Sequence, residues 1–348
     1  FSIMKKSKLF LLPAALLLAG GLVSCGEKGT EVTFGVGYTA AFDGSKGEID
    51  ATVVGAAFEK GTGKIIDARL DVMQIKLDMA TVSITSKGST SEVFTVVLKE
   101  GSGLKSKLEL GADYGMAARA TQGEFYQQAE AWADWTVGKT AEEVKSNTAD
   151  VAGCSVGTDD FVLALSNAYA NAKDAGTLDS SKLKVGVSFA AATVSGKSTN
   201  NSEAGLDFAG ALTDGTKNIV SYCDTLAAEL TGSEDADTGV KTYGLKVGSK
   251  YIVDGKLVSK RGLGAAYGMT SKDAEGNAVD DGLGYEKNCQ AVDAALAGKT
   301  LEEVAAFDAS AEVAGVSVSQ KESLFQASKE AVAYSVKAVI TDKPVAAK

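Results

Sequence analysis

Three cysteines in the body of the chain, Cys154, Cys223 and Cys289, are the residues best suited to nucleophilic or redox chemistry. Cys223 and Cys289 could form a disulfide in an oxidising compartment, which would leave Cys154 unpaired. The sequence contains no histidine, which excludes Ser-His-Asp and Cys-His catalysis and histidine-ligated zinc or haem. It also contains no Cys-x-x-Cys spacing. We therefore expect thiols that pack as small apolar side chains.

Aromatic residues are the second group of candidates, here for ligand binding. Tyr114 and Tyr267 stand in two segments that share the pattern Leu-Gly-x-x-Tyr-Gly-Met. Their glycines could let the backbone approach a ligand, or they could serve a tight turn. Tyr126 and Trp135 fall off the apolar face of a predicted helix, so their rings could stack on a ligand at the surface.

An acidic segment, Asp273 to Asp281, carries the oxygen ligands that calcium prefers. Its glycine falls at the fourth position rather than the sixth, and Gly284 stands where a calcium loop has its glutamate. The pattern therefore predicts a solvated loop and no metal site.

The elements that must position these residues follow an export signal. Three lysines among residues 5–8 precede an apolar run, Leu9 to Leu18, and the segment ends in Leu22-Val23-Ser24-Cys25. It resembles the signals of bacterial lipoproteins, in which the cysteine receives diacylglycerol and the chain is cut before it. We therefore expect a signal peptide over residues 1–24, a lipid on Cys25 and a tether over residues 25–31. The lipid would hold the exported protein to a bacterial membrane, at the cell surface or facing the periplasm.

The exported part is acidic. Residues 1–24 contain three lysines and no acidic residue, so the remainder has 32 basic and 45 acidic residues and a net charge of −13. Such a charge opposes binding to nucleic acid or to an anionic membrane surface. We therefore expect a membrane partner through the lipid alone, no nucleic acid, and a small-molecule or protein partner that the sequence does not identify.

An internal repeat organises the exported chain. Leu110 to Met116 matches Leu263 to Met269 at an offset of 153 residues, and Gly138 to Val144 matches Gly298 to Val304 at an offset of 160. Shorter matches lie before and after these, in the same order. We therefore predict repeat domains over residues 32–175 and 185–341, a linker over residues 176–184 and a tail over residues 342–348.

The sequence of each repeat predicts an antiparallel sheet that is followed by two or three helices, which is an α+β fold. Residues 53–58 and 65–77 have the pattern of strands, with Lys60-Gly61-Thr62-Gly63 as the turn between them. The helices show apolar residues at helical spacing and three capping boxes, Thr140 with Glu143, Thr300 with Glu303 and Ser319 with Glu322. The predicted core face consists of Phe125, Ala129, Trp132 and Thr136 in the first repeat and of Tyr285, Cys289, Val292 and Leu296 in the second.

This plan resembles the FMN-binding domains of exported and membrane-anchored bacterial electron-transfer proteins. The resemblance rests on Gly-Lys-Ile-Ile-Asp at residues 63–67 and on a Gly-x-Ser step before the last helix of each repeat. In that family a threonine or serine of a Ser-Gly-Ala-Thr-like motif is joined to FMN through the phosphate. The resemblance implies Ser155 and Ser317 as the acceptors. Both segments replace the leading serine and the alanine of the family motif.

These observations favour a lipid-anchored, extracytoplasmic, non-enzymatic scaffold that binds a ligand or partner and carries no cofactor. The alternative is a flavin-bearing electron-transfer lipoprotein with FMN on the two serines. A solute-binding protein of the usual two-lobed kind is a third interpretation, which the tandem repeat does not favour.

The visible spectrum and intact mass of the mature protein, made in a host that attaches flavin, separate the first two interpretations. We expect a colourless protein with no added FMN mass. A yellow protein with one or two FMN masses, both lost on Ser155→Ala with Ser317→Ala, would establish the alternative instead.

Overall fold

The computed structural model describes residues 29–147, 149–273 and 277–336. The strands are β1 (Thr30–Asp43), β2 (Glu48–Glu59), β3 (Ile65–Ser86), β4 (Ser89–Leu98), β5 (Lys173–Leu178), β6 (Lys184–Phe189), β7 (Thr193–Ser198), β8 (Asn201–Thr213), β9 (Asn218–Glu234), β10 (Lys241–Leu245), β11 (Ile252–Val253), β12 (Lys256–Leu257), β13 (Ser271–Lys272) and β14 (Ala278–Val279). The α-helices are α1 (Lys107–Leu110), α2 (Phe125–Thr136), α3 (Ala141–Ser146), α4 (Asp159–Ala170), α5 (Lys260–Leu263), α6 (Gly284–Leu296), α7 (Leu301–Ala305) and α8 (Lys321–Val336).

Two antiparallel sheets carry the fold. The first has the order β4-β3-β2-β1-β5, and the second has the order β10-β9-β8-β6 with β7 also paired to β8. We call residues 30–178, which hold the first sheet, the first half and residues 184–336 the second half. In each half the four-stranded meander comes first and the longer helices follow, which is the α+β class that the sequence predicts.

The sheets pack face to face and share one hydrophobic core. Side chains of β1, β2 and β3 meet those of β6, β8 and β9 in this core, among them Phe34 and Met73 from the first half and Phe189 and Phe208 from the second. Helices α2 and α4 cover the outer face of the first sheet, and α6 and α8 cover the outer face of the second. The result is a four-layered arrangement of helix, sheet, sheet and helix.

Strand β2 shows the consequence of this layering. The predicted strand at residues 53–58 lies in β2, where every residue from Ala51 to Phe58 is buried. Val53 and Ala57 lie in the core between the sheets, whereas Val54 and Phe58 lie under the helices. A sheet covered on both sides has no solvent face, so its strands are apolar throughout.

Glycines let the last long helix of each half approach the sheet closely. A Cβ atom on Gly37 would lie 2.1 Å from the carbonyl oxygen of Ala164 in α4. A Cβ atom on Gly186 would lie 1.9 Å from the carbonyl oxygen of Ala331 in α8. Gly37 and Gly186 therefore serve backbone contact between strand and helix.

The strand bounds differ from the predicted domain boundaries. Strand β1 begins at Thr30, inside the predicted tether, because Thr30 pairs with Leu178 of β5. The predicted linker, residues 176–184, begins inside β5, and β6 starts at Lys184. Backbone pairing thus extends into segments that have no apolar pattern. The predicted tail, residues 342–348, lies outside the described residues.

The predicted helix faces are confirmed, and so are the capping boxes at Thr140 and Thr300. The third box is wrong, because α8 begins at Lys321 and the Ser319 hydroxyl donates to the side chain of Gln320. All eight residues of the two core faces are buried, Trp132, Cys289, Val292 and Leu296 fully. In both confirmed boxes the threonine side chain accepts the N–H of the glutamate, and the glutamate accepts the N–H of the threonine.

The close contact of Gly186 with α8 should be needed for the stability of the protein. Gly186→Ala should lower the free energy of unfolding by about 3 kcal/mol, because the new methyl group must push α8 away from β6. Gly157→Ala is the matched control, since a Cβ atom there meets nothing within 4 Å. Urea unfolding should show the loss for Gly186→Ala and no loss for Gly157→Ala; equal effects would contradict the close approach.

Candidate functional site

A cleft of about 760 Å³ opens between the two halves, and we call it the inter-half cleft. Strand β1 and helix α4 form one wall, and the β11–β12 hairpin, α5 and α6 form the other. The side chains that line it include Tyr38, Asp160, Leu163, Asn167 and Lys173 from the first half and Tyr222, Lys256, Ser259, Arg261 and Glu286 from the second.

Arg261 is the most constrained side chain of the cleft, with 5% of its surface exposed. Its Nε and Nη2 atoms donate to the two carboxylate oxygens of Glu286 at 2.9 and 3.1 Å. Its Nη1 atom donates to Asp293 and to the carbonyl oxygen of Cys223, both at 2.8 Å. Its Cζ atom lies 4.2 Å from the ring centre of Tyr222. The guanidinium group is therefore held in place before any ligand arrives.

The first half holds the helix that carries Arg261. The hydroxyl of Tyr38 accepts a hydrogen bond of 2.6 Å from the backbone N–H of Ser259, the N-cap of α5. The Ser259 hydroxyl in turn accepts the N–H of Gly262 at 3.0 Å. The ring of Tyr38 packs on Phe208 in the shared core, with centroids 5.4 Å apart. The two walls of the cleft are thus joined at its floor.

A buried aspartate beside the cleft, Asp224, has a structural counterpart in the first half. Asp224 accepts the N–H groups of Thr225 and Arg261 at 2.7 and 2.9 Å. Asp71, which precedes Asp224 by the same offset of 153 residues, accepts the N–H groups of Val72 and Leu108 at 2.7 and 3.1 Å. Each aspartate therefore holds the start of a short helix, α5 or α1.

The pKa values of these buried carboxyl groups are raised. Burial raises the pKa of Asp71 to about 7 and that of Asp224 to about 6, against the hydrogen bonds that they accept. Burial also raises the pKa of Asp293 to about 6 in spite of the neighbouring Arg261. Since Asp71 has the same environment far from the cleft, the shift of Asp224 marks the scaffold rather than catalysis.

The charges that line the cleft are of both signs. Burial raises the pKa of Glu286, but Arg261 and then Lys173 from the opposite wall outweigh it and hold the value below its usual range. Asp160 and Lys256 are exposed on opposite walls. The cleft can therefore present a cation and a carboxylate to one small molecule.

The two serines of the Gly-x-Ser steps occupy matching positions. Gln128, on α2, accepts the N–H of Ser155 at 2.8 Å and its hydroxyl at 3.1 Å. Asn288, on α6, accepts the N–H and the hydroxyl of Ser317. Both amides are buried and tie the serine loop to the preceding helix. Both serines are exposed and neither lines the inter-half cleft, so FMN attachment stays a prediction.

The tyrosines of the two repeated segments contact lysines. The Lys107 amine lies 5.2 Å from the ring centre of Tyr114. The Lys260 amine lies 5.6 Å from the ring centre of Tyr267, and Lys250 lies 4.1 Å from it. In both halves the glycine after the tyrosine has a left-handed conformation, so the pattern serves a turn that places the ring on the lysine.

The other predicted site residues are dispersed. Tyr126 and Trp135 are half-buried against the helical core of the first half, and Lys139 lies 4.5 Å from the ring centre of Trp135. Cys223 and Cys289 are buried and Cys154 is half-buried, and all three are free thiols. Cys25 lies outside the described residues.

The acidic segment at residues 273–281 is described in part. The Asp281 side chain binds the Lys287 amine at 2.7 Å and the Ser271 hydroxyl at 2.8 Å. The described part of the chain holds no group of three acidic or cysteine residues placed to bind a metal ion.

The sequence interpretation missed the residues of the inter-half cleft. A signal was present, because Leu108, Tyr126 and Ala133 stand opposite Arg261, Glu286 and Asp293 at the offsets of 153 and 160 residues. Uncharged residues at three positions of the first half, against one cation and two carboxylates in the second, indicate an ionic contact particular to the second half. Nothing in the sequence shows that this contact faces the opposite half.

Comparison with family models, with curated protein sequences and with solved structures gives no match for this chain. Within the described ranges, no helix has both the length and the apolar character of a membrane span.

Asp71 should make the stability of the protein depend on pH. Its folded pKa of about 7 exceeds the roughly 3.9 of an unfolded chain, so the folded protein binds the extra proton between these values. The contribution of Asp71 to the free energy of unfolding is therefore lost as the pH rises through that window. Relative to Asp71→Asn, the wild type should lose about 3 kcal/mol of unfolding free energy from about pH 5 to about pH 8.

Urea unfolding at several pH values measures this difference. The exposed Asp150 supplies the control, and Asp150→Asn should follow the wild type across the range. A constant difference between Asp71→Asn and the wild type would show that Asp71 titrates alike in both states.

Proposed function

We propose that this protein is a lipid-anchored, extracytoplasmic binding protein that holds a small zwitterionic or polar molecule in the inter-half cleft. The observation that carries the proposal is the pair of exposed, oppositely charged side chains on facing walls of this cleft, Asp160 and Lys256, beside an Arg261 that Glu286 and Asp293 hold in place. Membrane attachment through Cys25 is part of the proposal and rests on the lipoprotein-like signal.

The polar groups of the cleft are already in place, which favours binding. Ligands lose affinity when side chains must be ordered on binding, so a fixed arginine reduces that cost. The cleft volume of about 760 Å³ suits a small molecule. Carboxylates and cations on facing walls favour a ligand that carries both charges, such as an amino acid or a short peptide.

A non-enzymatic role is favoured by the carboxyl groups with raised pKa. Asp71 and Asp224 make equivalent contacts in the two halves, and only Asp224 lies beside the cleft. Asp293 is bound to Arg261. These three carboxyl groups therefore have structural roles, and none of them is available in the cleft as a general base.

A tandem duplication is also part of the proposal. The order of strands and helices is alike in both halves, and the capping boxes, the buried aspartates and the amide–serine contacts occupy matching positions. The ionic cluster of Arg261, Glu286 and Asp293 is specific to the second half.

A thermal-shift screen of amino acids, dipeptides and neutral sugars, followed by calorimetry, tests the proposed function. We expect an amino acid or dipeptide to raise the melting temperature by binding the folded state. Leu163→Trp should abolish that shift, because Leu163 is 45% exposed on the cleft wall and the larger ring fills the space.

Val247→Trp is the matched control, since Val247 is 97% exposed and lies away from the cleft. It should bind as the wild type does. Binding that survives Leu163→Trp, or a shift with neutral sugars alone, would contradict the assignment of a zwitterion to this cleft.

A further inference from the structure

A second cavity, of about 420 Å³, lies in the first half and shares no residue with the inter-half cleft. The loop between β4 and α1 forms it together with β3 and the ring of Tyr114. Four lysines line it, and we call it the lysine pocket: Lys76, Lys99, Lys105 and Lys107. The single acidic residue of its lining is Glu100.

The four amines have no carboxylate partner. Within the described ranges, no ion pair involves any of them. Glu48 and Glu109, which lie nearby, are engaged elsewhere: Glu48 binds the Gln74 amide at 2.9 Å, and Glu109 binds the N–H of Ser106 at 2.6 Å. The four lysines around this cavity are thus in no ion pair of the described residues, while Glu48, Asp78 and Glu109 act on Lys76, Lys99 and Lys105 from a longer distance.

The loop that carries two of these lysines is held in place. The N–H of Lys99 donates to the carbonyl oxygen of Lys76 at 2.9 Å, and the N–H of Lys76 donates to the Ser102 hydroxyl at 2.6 Å. The carbonyl oxygen of Gly103 accepts the N–H of Ala192 from the second half at 2.7 Å. The backbone that carries these lysines is therefore fixed before a ligand binds, which lowers the cost of ordering the cavity.

The second half keeps the underlying scaffold and replaces two of these lysines. Lys107 and Tyr114 correspond to Lys260 and Tyr267, and in both halves the amine lies over the tyrosine ring. Lys76 corresponds to Glu229, and Lys105 corresponds to Val258. The additional lysines are thus not required by the fold.

We propose that the lysine pocket binds a small organic anion in which a phosphate or carboxylate group is joined to an apolar portion. The amines would neutralise the anion, and the Tyr114 ring with Leu104, which is 58% exposed, would contact the apolar portion.

The position of the pocket favours a soluble anion over a lipid headgroup. Lys76 pairs with Glu48, and Glu48 pairs with Asp43 at the end of β1. Thr30, where the chain would leave for the membrane, is at the other end of this 14-residue strand, roughly 40 Å away. An anchored molecule would then carry the pocket on the side away from its own membrane.

Calorimetry of the mature chain with phenyl phosphate and with inorganic phosphate tests the proposal. We expect saturable binding of phenyl phosphate that is tighter than that of inorganic phosphate and weakens as salt is raised. Lys76→Gln with Lys105→Gln should weaken it about tenfold or more. Equal affinity for both probes would remove the apolar contact from the proposal, and no saturable binding would overturn it.

Lys64→Gln with Lys87→Gln is the matched control, because both lysines are exposed and lie outside the pocket. This control pair changes the net charge of the protein by the same amount as Lys76→Gln with Lys105→Gln, and it should leave the binding of phenyl phosphate unchanged. An equal loss from this pair would show a general charge effect and overturn the proposal. Binding of the unlipidated chain to phosphatidylserine vesicles, without binding of phenyl phosphate, would also overturn it.

Discussion

The burial of one sheet against the other is the constraint on which the rest of this structure depends. Each sheet has an inner face in the common core and an outer face under helices, so its central strands cannot present a polar side to solvent. Helices must then approach strands that are already crowded, and Gly37 and Gly186 make this possible. The same burial brings β1 of the first half beside α5 of the second, which creates the inter-half cleft.

Local features of this fold could be predicted from the sequence, and contacts between distant segments could not. The helix faces around Trp132 and Val292 and the capping boxes at Thr140 and Thr300 follow from residue spacing within one or two turns. Residues 53–58 were assigned to a strand, but their pattern does not show that helices cover one face of it and the second sheet covers the other. Of the candidate site, Tyr114 and Tyr267 lie beside left-handed glycines and against lysines, and the contacts of Arg261 join segments that are far apart in the sequence.

Comparison of the two halves separates the contacts that they share from those that one half alone makes. Contacts present in both halves, such as those of Asp71 and Asp224 or of Gln128 and Asn288, maintain the fold. Contacts present in one half are not required by the arrangement that both halves share. The second half has the ionic cluster around Arg261, and the first half has the lysine pocket. Two halves of one plan thus carry different chemistry at different places.

The shared core also bears on how such a chain can be made. The first sheet is complete once β5 pairs with β1, yet its inner face has no cover until β6, β8 and β9 have been synthesised. Because synthesis starts at the amino terminus, the first half would therefore expose this apolar face until the second half has been made. Such a protein depends on protection from aggregation at that stage, and neither half has a complete core as a separate fragment.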